Sequence, residues 1–403
     1  MEKIWTLDTL PKLKERVAGT RVLLRVDLNV PMQGDKISDI TRIERFLPTV
    51  RELSHLGCKI ILMSHFGRPN GKVIAGMSIK PLLKFLEAKM DGQKIVFLDD
   101  LFNQRTRDLV NGLPSGGVAL LENLRFHVGE EANDKNFVEA LAVLGDIYIN
   151  DAFSAAHRAH ASTEGLAHVL PSAAGRSMEA ELEALESALE DPKRPVMALV
   201  GGAKVSSKLE ILSNLVSKVD RLVIGGAMAN TFLYALGNDV GISLCEKDMT
   251  DTVFQVMASA DEAGCQLVLP SDVVIAEEFA ANVANQNVPI AGVQPNSIIL
   301  DIGEETVGAV TECLSECKTI LWNGPLGAFE TKPFDRGTIA VAKAVANLTF
   351  ERKLRSIAGG GDTLAALKTA NALDSFSYVS TAGGAFLEWL EGRELPGVVA
   401  LSG

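Results

Sequence analysis

The sequence predicts an α/β fold of two similar-sized domains, each a parallel β-sheet covered by helices, joined by a hinge helix. Three observations carry this. Short β-branched runs alternate with helical patterns along the chain, the signature of parallel strands with helical crossovers. Directly after these strands fall polar and cationic residues in the first half and glycines in the second. An amphipathic segment with terminal prolines lies near the middle. The length of 403 residues and the 47% hydrophobic content allow a large core and, by length, two domains.

The middle segment, SMEAELEALESALEDPKRP from Ser177 to Pro195, reads as one helix. Met178, Leu182, Leu185 and Leu189 recur at helical spacing, while Glu179, Glu181, Glu183, Glu186 and Glu190 occupy the remaining positions. Pro192 and Pro195 stop it. Gly175 stands just before, so an irregular joint followed by a stiff rod connects the halves, as a hinge requires. An ordinary surface helix is the alternative.

In the first half, RVLLRVD (Arg21 to Asp27), KIILMS (Lys59 to Ser64), VALLEN (Val118 to Asn123) and DIYIND (Asp146 to Asp151) are the clearest strands. Between the first two, Ile40, Ile43, Phe46, Leu47, Val50 and Leu53 form a helical face that Gly57 ends. Asp27 and Asn29 follow the first strand, His65 and Arg68 the second, Arg125 the third, and His157 and Arg158 the fourth. The carboxyl ends of parallel strands share one edge, where ligands bind, so these distant residues converge there, with Arg42 reaching in from the adjoining helix. Several guanidiniums with Asn and His suit a small ligand bearing more than one anionic group. Singly, each Arg reads as readily as a surface ion pair. The HxxH of His157 and His160 lacks the spacing and the glutamate of a helical zinc site.

In the second half, VMALV (Val196 to Val200), RLVI (Arg221 to Ile224), TILW (Thr319 to Trp322), RSIA (Arg355 to Ala358) and SYVST (Ser377 to Thr381) each run into a glycine-bearing turn. Glycine lets backbone approach a ligand closely, and a following helix directs free amides at an anion, so the edge reads as a nucleotide cradle. Lys204 and Lys208 are expected one turn apart at the start of the helix after Gly202, where positive charge opposes the helix dipole unless an anion binds. In GGGDT, Asp362 and Thr363 open a helix; they suit N-capping, and Asp362 also suits Mg²⁺ held together with phosphate oxygens.

The net charge of -12 excludes a general nucleic-acid surface, so an anionic ligand must meet a local cluster. Five cysteines without paired metal spacing read as reduced thiols. The N-terminus is too polar for a signal peptide and no run is long enough to span a bilayer, which together predict a cytoplasmic protein without membrane or nucleic-acid partners. GxxxxGK[ST], GxGxxG and the HRD and DFG motifs of protein kinases are all missing. A cationic pocket, a phosphate cradle and a hinge point to direct phosphoryl transfer between a nucleotide and a small anionic metabolite, chemistry that needs alignment and charge stabilisation more than a protein nucleophile.

RVDLNVP, the Arg42 segment, SHFGRP, ENLRF, NDAFSAAHRAHAS, VGGAKVSSK, WNGPLGAFE, AGGGDT and STAGGAFLEWL together resemble the phosphoglycerate kinase family, from about Arg21 to the C-terminal LPGVVALSG. The resemblance implies two Rossmann-like domains: residues 1–176 with 393–403 binding phosphoglycerate, a hinge helix at 177–191, and residues 192–392 binding nucleotide. It implies reversible transfer between 1,3-bisphosphoglycerate and ADP, giving 3-phosphoglycerate and ATP, in glycolysis, by a cytoplasmic monomer using Mg²⁺. The glycerate substrate falls to Asp27, Asn29, Arg42, His65, Arg68, Arg125 and Arg158, with Arg42 also steadying the moving phosphoryl group. Lys204 would stabilise that group from the nucleotide side and Lys208 would hold nucleotide phosphate. Glu330 would bind ribose, Gly360, Gly361, Asp362 and Thr363 would cradle phosphate, and Asp362 would hold the metal. Three positions depart from the family pattern: Phe66, expected to alter packing only; Ala227, expected to crowd the adenine side if its φ must be positive; and Arg176, expected to change how the hinge closes. Two rival readings are a non-catalytic nucleotide-dependent binding protein and an acetate-type carboxylate kinase.

Overall fold

The computed structural model describes residues 4–15, 17–34 and 36–402; Met1 to Lys3 and Gly403, the extremes of the expected first domain, lie outside it. The chain forms two compact units, one running to Leu182 and resuming at Glu394, the other spanning Glu183–Arg393.

The first unit is built on six parallel strands in the spatial order Ile95–Leu98, Val118–Leu121, Lys59–Met63, Arg21–Arg25, Ile147–Asn150, Ser172–Ala174. Val22, Leu23 and Leu24 in the central strand are wholly buried, as a strand covered by helices on both faces must be. The four expected strands are all present. Ile95–Leu98 and Ser172–Ala174 were not expected, since one is a four-residue run without alternation and the other consists of Ser and Ala, poor strand formers that pair only because the sheet is already there. Ile43, Phe46, Leu47, Val50 and Leu53 on the helix Thr41–His55 are buried against the sheet, and Ile40 is its N-cap. Gly57 follows the helix end with φ +79°, its amide bonded to the Ser54 carbonyl. The short helix Pro396–Val399 packs on this unit, where the Gly397 amide donates to the Ala156 carbonyl at 2.8 Å.

The second unit has six parallel strands in the order Gln266–Val268, Arg221–Ile224, Val196–Val200, Thr319–Asn323, Arg355–Gly359, Tyr378–Ser380. It also holds an antiparallel sheet, ordered Asn285–Pro289, Asp272–Ala276, Ile298–Ile302, which the expectation of a purely parallel domain lacked. Its edge strand reads NQNVP and is mostly exposed, so neither propensity nor alternation marks it. Val273 and Ile275 bury their side chains with Leu233, Val240, Ile290 and Val293 in a separate small core.

The connecting helix runs Arg176–Leu189, ending short of the expected Pro195 because Pro192 removes a backbone donor and disfavours helix before it. Met178, Leu185 and Leu189 are buried and Leu182 is half-buried. Glu181, placed by periodicity on the polar face, is instead buried and paired with Arg45 at 3.0 Å. The Asp151 Oδ1 accepts the Ser177 and Met178 amides at 2.7 and 3.0 Å, capping the helix start from another strand. A side chain on Gly175 would collide with that carboxylate, so close packing requires this glycine, rather than the irregular joint inferred from sequence.

Burial pushes the Asp151 carboxyl up to about 6, against the two amides and Arg176 that favour its charged form. The folded protein therefore holds this proton more tightly than the unfolded chain, whose Asp titrates near about 3.9. Its contribution to stability grows as pH falls from above about 6 toward about 4 and is lost as pH rises through that window. Urea unfolding of Asp151→Asn at about pH 7.5 and pH 5 should show a smaller pH dependence than the parent chain; an unchanged dependence would remove Asp151 as its source.

Candidate active site

At the carboxyl edge of the first sheet, Asp27 organises the loop after the central strand. Its Oδ1 accepts the Asn29 amide at 2.9 Å, and its Oδ2 accepts the Ser154 hydroxyl at 2.5 Å and pairs with Arg42 at 3.1 Å. Arg42 also donates to the Asn29 carbonyl at 2.8 Å, and the Asn29 Oδ1 accepts the Gly67 amide at 3.0 Å. Arg125 donates to the Gly67 carbonyl at 3.0 Å. Asn123 stitches the neighbouring loops together, accepting the Phe66 and Arg125 amides and donating to the Phe66 and Met77 carbonyls. Residues from four strand ends and one helix thus meet in a single bonded set.

His65 lies at the centre, 7% exposed. Burial holds its imidazole well below the usual pKa, helped by Arg25, Arg125, His160 and Arg42 around it. His160 is pushed down to about 4 by burial and by Arg125, Arg25, Arg158 and His157. Both rings are neutral near pH 7, so the positive charge here belongs to guanidiniums. Arg68 and Arg158 are exposed at the rim, close enough to act on Arg125 and on His160. In the Arg42–Asp27 pair the carboxylate is buried while the Arg42 side chain is 31% exposed, so the guanidinium remains reachable from solvent.

In the second unit, the strand-end glycines divide into two kinds. Added side chains on Gly201 and Gly324 would collide with the Pro325 and Gly201 carbonyl oxygens, and one on Gly226 would lie 2.7 Å from the Gly202 oxygen. These three are demanded by backbone packing between adjacent turns. Gly361 and Gly383 face open space, and Gly360, with φ +99°, turns the chain into the helix Gly361–Thr369.

The lysines are arranged differently from the expectation. The helix after Gly202 begins only at Leu209 and ends at Leu215, so Lys204 sits in an exposed turn and Lys208 is the residue before the helix. The helix-dipole argument therefore does not hold Lys204. Lys208 is half-buried and donates to the Asn323 Oδ1 at 2.5 Å; burial lowers its pKa, with Asp362 and Glu391 opposing. Asn323 in turn donates to the Gly359 carbonyl at 2.8 Å, tying the lysine to the neighbouring strand end. Thr363 does not cap its helix: its hydroxyl accepts the Gly324 amide at 2.7 Å and donates to the Gly359 carbonyl at 2.9 Å. Asp362, exposed beside it, makes no hydrogen bond or ion pair among the described residues. Glu330 is exposed in the turn after Thr319–Asn323. Asn123, Asn323 and Arg25 were not singled out from the sequence, although each is a polar residue at the end of a buried strand, which is a usable signal.

A family model described as phosphoglycerate kinase matches residues 13–393. A phosphoglycerate kinase of Rhizobium meliloti is 56% identical over 396 residues, covering 98% of this chain and 99% of that one. One from Chelativorans sp. is 57% identical over 393 residues, covering 98% of each. The chain belongs to the phosphoglycerate kinase family. Among solved structures, phosphoglycerate kinase from Coxiella burnetii superposes with a TM-score of 0.91 at 40% identity, covering 99% of both chains. That from Pyrococcus horikoshii gives 0.79 at 30% identity, covering 99% of this chain and 98% of that one. This chain is thus a kinase acting on a carboxyl group, exchanging 1,3-bisphosphoglycerate and ADP reversibly for 3-phosphoglycerate and ATP in glycolysis.

The departures from the phosphoglycerate kinase pattern have structural answers. Ala227 begins the helix Ala227–Ala235 and is not among the residues with positive φ, so the feared strain is not present. Phe66 packs on the edge of the first core. Arg176 is held by Asp8, Glu52 and Glu179 at 2.7 to 2.8 Å, all within the first unit.

The two kinds of glycine should separate experimentally. Gly361→Ala should keep stability within about 0.5 kcal/mol, since its new methyl meets nothing. Gly201→Ala should lose at least about 3 kcal/mol or fail to fold. Equal unfolding midpoints in denaturant would contradict this division.

Proposed function

We propose that the first unit binds the phosphoglycerate and the second the nucleotide. The carrying observation is one neutral His65 ringed by guanidiniums on a single sheet edge of a chain whose net charge is -12. Asp27, Asn29, Arg42, His65, Arg68, Arg125 and Arg158 take the substrate: the arginines grip carboxylate and phosphate with paired hydrogen bonds, and Asp27 with Asn29 sets where Arg42 can point. Arg42 also stabilises the phosphoryl group in transfer. Lys204, exposed before the helix Leu209–Leu215, stabilises it from the nucleotide side. Lys208, fixed by Asn323, holds nucleotide phosphate. Gly360, Gly361 and Thr363 cradle phosphate through the turn, and Glu330 takes the ribose.

Asp362 fits Mg²⁺, because an exposed carboxylate without a hydrogen bond or ion pair among the described residues, beside a phosphate cradle, suits an ion that at nucleotides takes one or two carboxylates plus phosphate oxygens. Bound there, the ion would neutralise phosphate charge. Direct in-line transfer on domain closure requires the two ligands to meet, which gives the helix Arg176–Leu189 its hinge role in this proposal. A cytoplasmic monomer completes it; among the described residues no helix is long and apolar enough to cross a membrane.

The test is ADP formation from MgATP with 3-phosphoglycerate, acetate or no acid. Turnover with 3-phosphoglycerate alone is expected; turnover with acetate, or nucleotide binding without turnover, would overturn the assignment. Arg42→Ala should lower kcat by about 10²-fold or more with little change in ADP affinity, and unchanged kcat would remove Arg42 from the chemistry. Lys208→Ala should weaken ADP binding about tenfold by titration calorimetry, and unaltered affinity would count against its role.

A further inference from the structure

A buried polar chain leads inward from His65. Arg25, 1% exposed at the end of the central strand, directs Nη2 at the His65 Nδ1 at 2.8 Å. Its Nη1 donates to the Val26 carbonyl at 2.6 Å and its Nε to the Ser162 Oγ at 2.9 Å. The Ser162 hydroxyl donates to the Glu130 Oε1 at 2.5 Å, and the Ser162 amide donates to the Glu130 Oε2 at 3.0 Å. Glu130 is completely buried, and the Tyr148 hydroxyl closes the set on the Ser162 carbonyl at 2.8 Å.

The directions of these bonds are fixed by chemistry. A guanidinium has five N–H donors and no acceptor, so its contact with Nδ1 requires a lone pair there. The His65 proton must then sit on Nε2, and a second proton on Nδ1 would face an N–H of Arg25. We infer that Arg25 is a positioning residue that locks His65 as the neutral Nε2–H tautomer, with Glu130 and Ser162 balancing and aiming the buried guanidinium. His65 thereby meets the substrate as a fixed hydrogen-bond donor whose charge does not change with pH. Burial and the surrounding Arg25, Arg42, Arg125 and His160 oppose its protonation in the same sense. Arg25 itself gives three of its five N–H donors to protein atoms and is buried, unlike Arg42, Arg68 and Arg158, which retain exposed surface. The tautomer follows from the buried bonds alone, while its use in recognition rests on the proposed substrate site.

Ring ¹⁵N–¹H correlation spectra of the full-length chain, with His65 assigned by its absence in His65→Gln, test this directly. The expected result is a proton on Nε2 and no titration of His65 between about pH 5 and 8. A proton on Nδ1, or titration near about 6.5, overturns the inference. Arg25→Met, and Arg25→Met combined with Glu130→Gln should the single variant leave Glu130 uncompensated and unfolded, should release the tautomer: burial, Arg42, Arg125 and His160 still keep the ring neutral, and a proton now appears on Nδ1 in part of the population. In either variant KM for 3-phosphoglycerate should rise about tenfold with kcat changed less. A proton on Nε2 alone together with a wild-type KM in these variants overturns the positioning role. The predicted tautomer in a chain that does not turn over 3-phosphoglycerate would support the lock and overturn the functional reading instead.

Discussion

Like charges crowded along one edge of a parallel sheet have to be contained before anything can bind there. Arg25, Arg42, Arg68, Arg125 and Arg158 gather at the carboxyl ends of strands that are adjacent in space and distant in sequence. Containment is uneven. Arg25 is buried and tied through Ser162 to Glu130, and Arg125 pairs with Glu131 at 3.2 Å. Arg42 shares Asp27, and the rim arginines face solvent. Charges held deepest are those least available to a ligand, and in the proposed site the exposed guanidiniums are the ones a ligand would meet. Keeping His65 and His160 neutral avoids adding two further cations to the crowd.

The second edge solves a different problem. Its turns must come close enough to one another to leave a backbone-lined surface, and Gly201, Gly226 and Gly324 permit that by carrying no side chain between adjacent carbonyls. Asn323 and Thr363 then bind those turns to one another and hold Lys208 in place. This edge is a packed scaffold with open positions at Gly361, Asp362 and Gly383.

Much of this was legible in the sequence. The strands nearest the sheet centres are β-branched and end in conspicuous polar or glycine residues, so their shared edge could be read from order alone. Features set by contacts between distant residues were hidden. Glu181 has the right spacing for a polar face, and its burial comes with the pairing to Arg45, a residue distant in sequence. The turn at Lys204 reads as a helix start because nothing local shows that Glu246 accepts the Ser206 amide at 3.0 Å and holds the segment in another shape. The edge strand Asn285–Pro289 has no strand propensity, and it exists through pairing with Asp272–Ala276. Gly175 reads as an irregular joint and Gly201 as part of a ligand-facing turn, whereas the atoms opposite them make both sites of close contact.

The central claim is that the anion edge and the nucleotide edge bind their ligands as separate sites on separate units. Titration calorimetry of 3-phosphoglycerate into the nucleotide-free chain, its Lys208→Ala variant and its Arg158→Ala variant tests it most directly. The account predicts equal affinity in the first two, weakening with added salt, and a clear loss in the third. Competition between ADP and 3-phosphoglycerate for one site, or an affinity indifferent to Arg158, would contradict it.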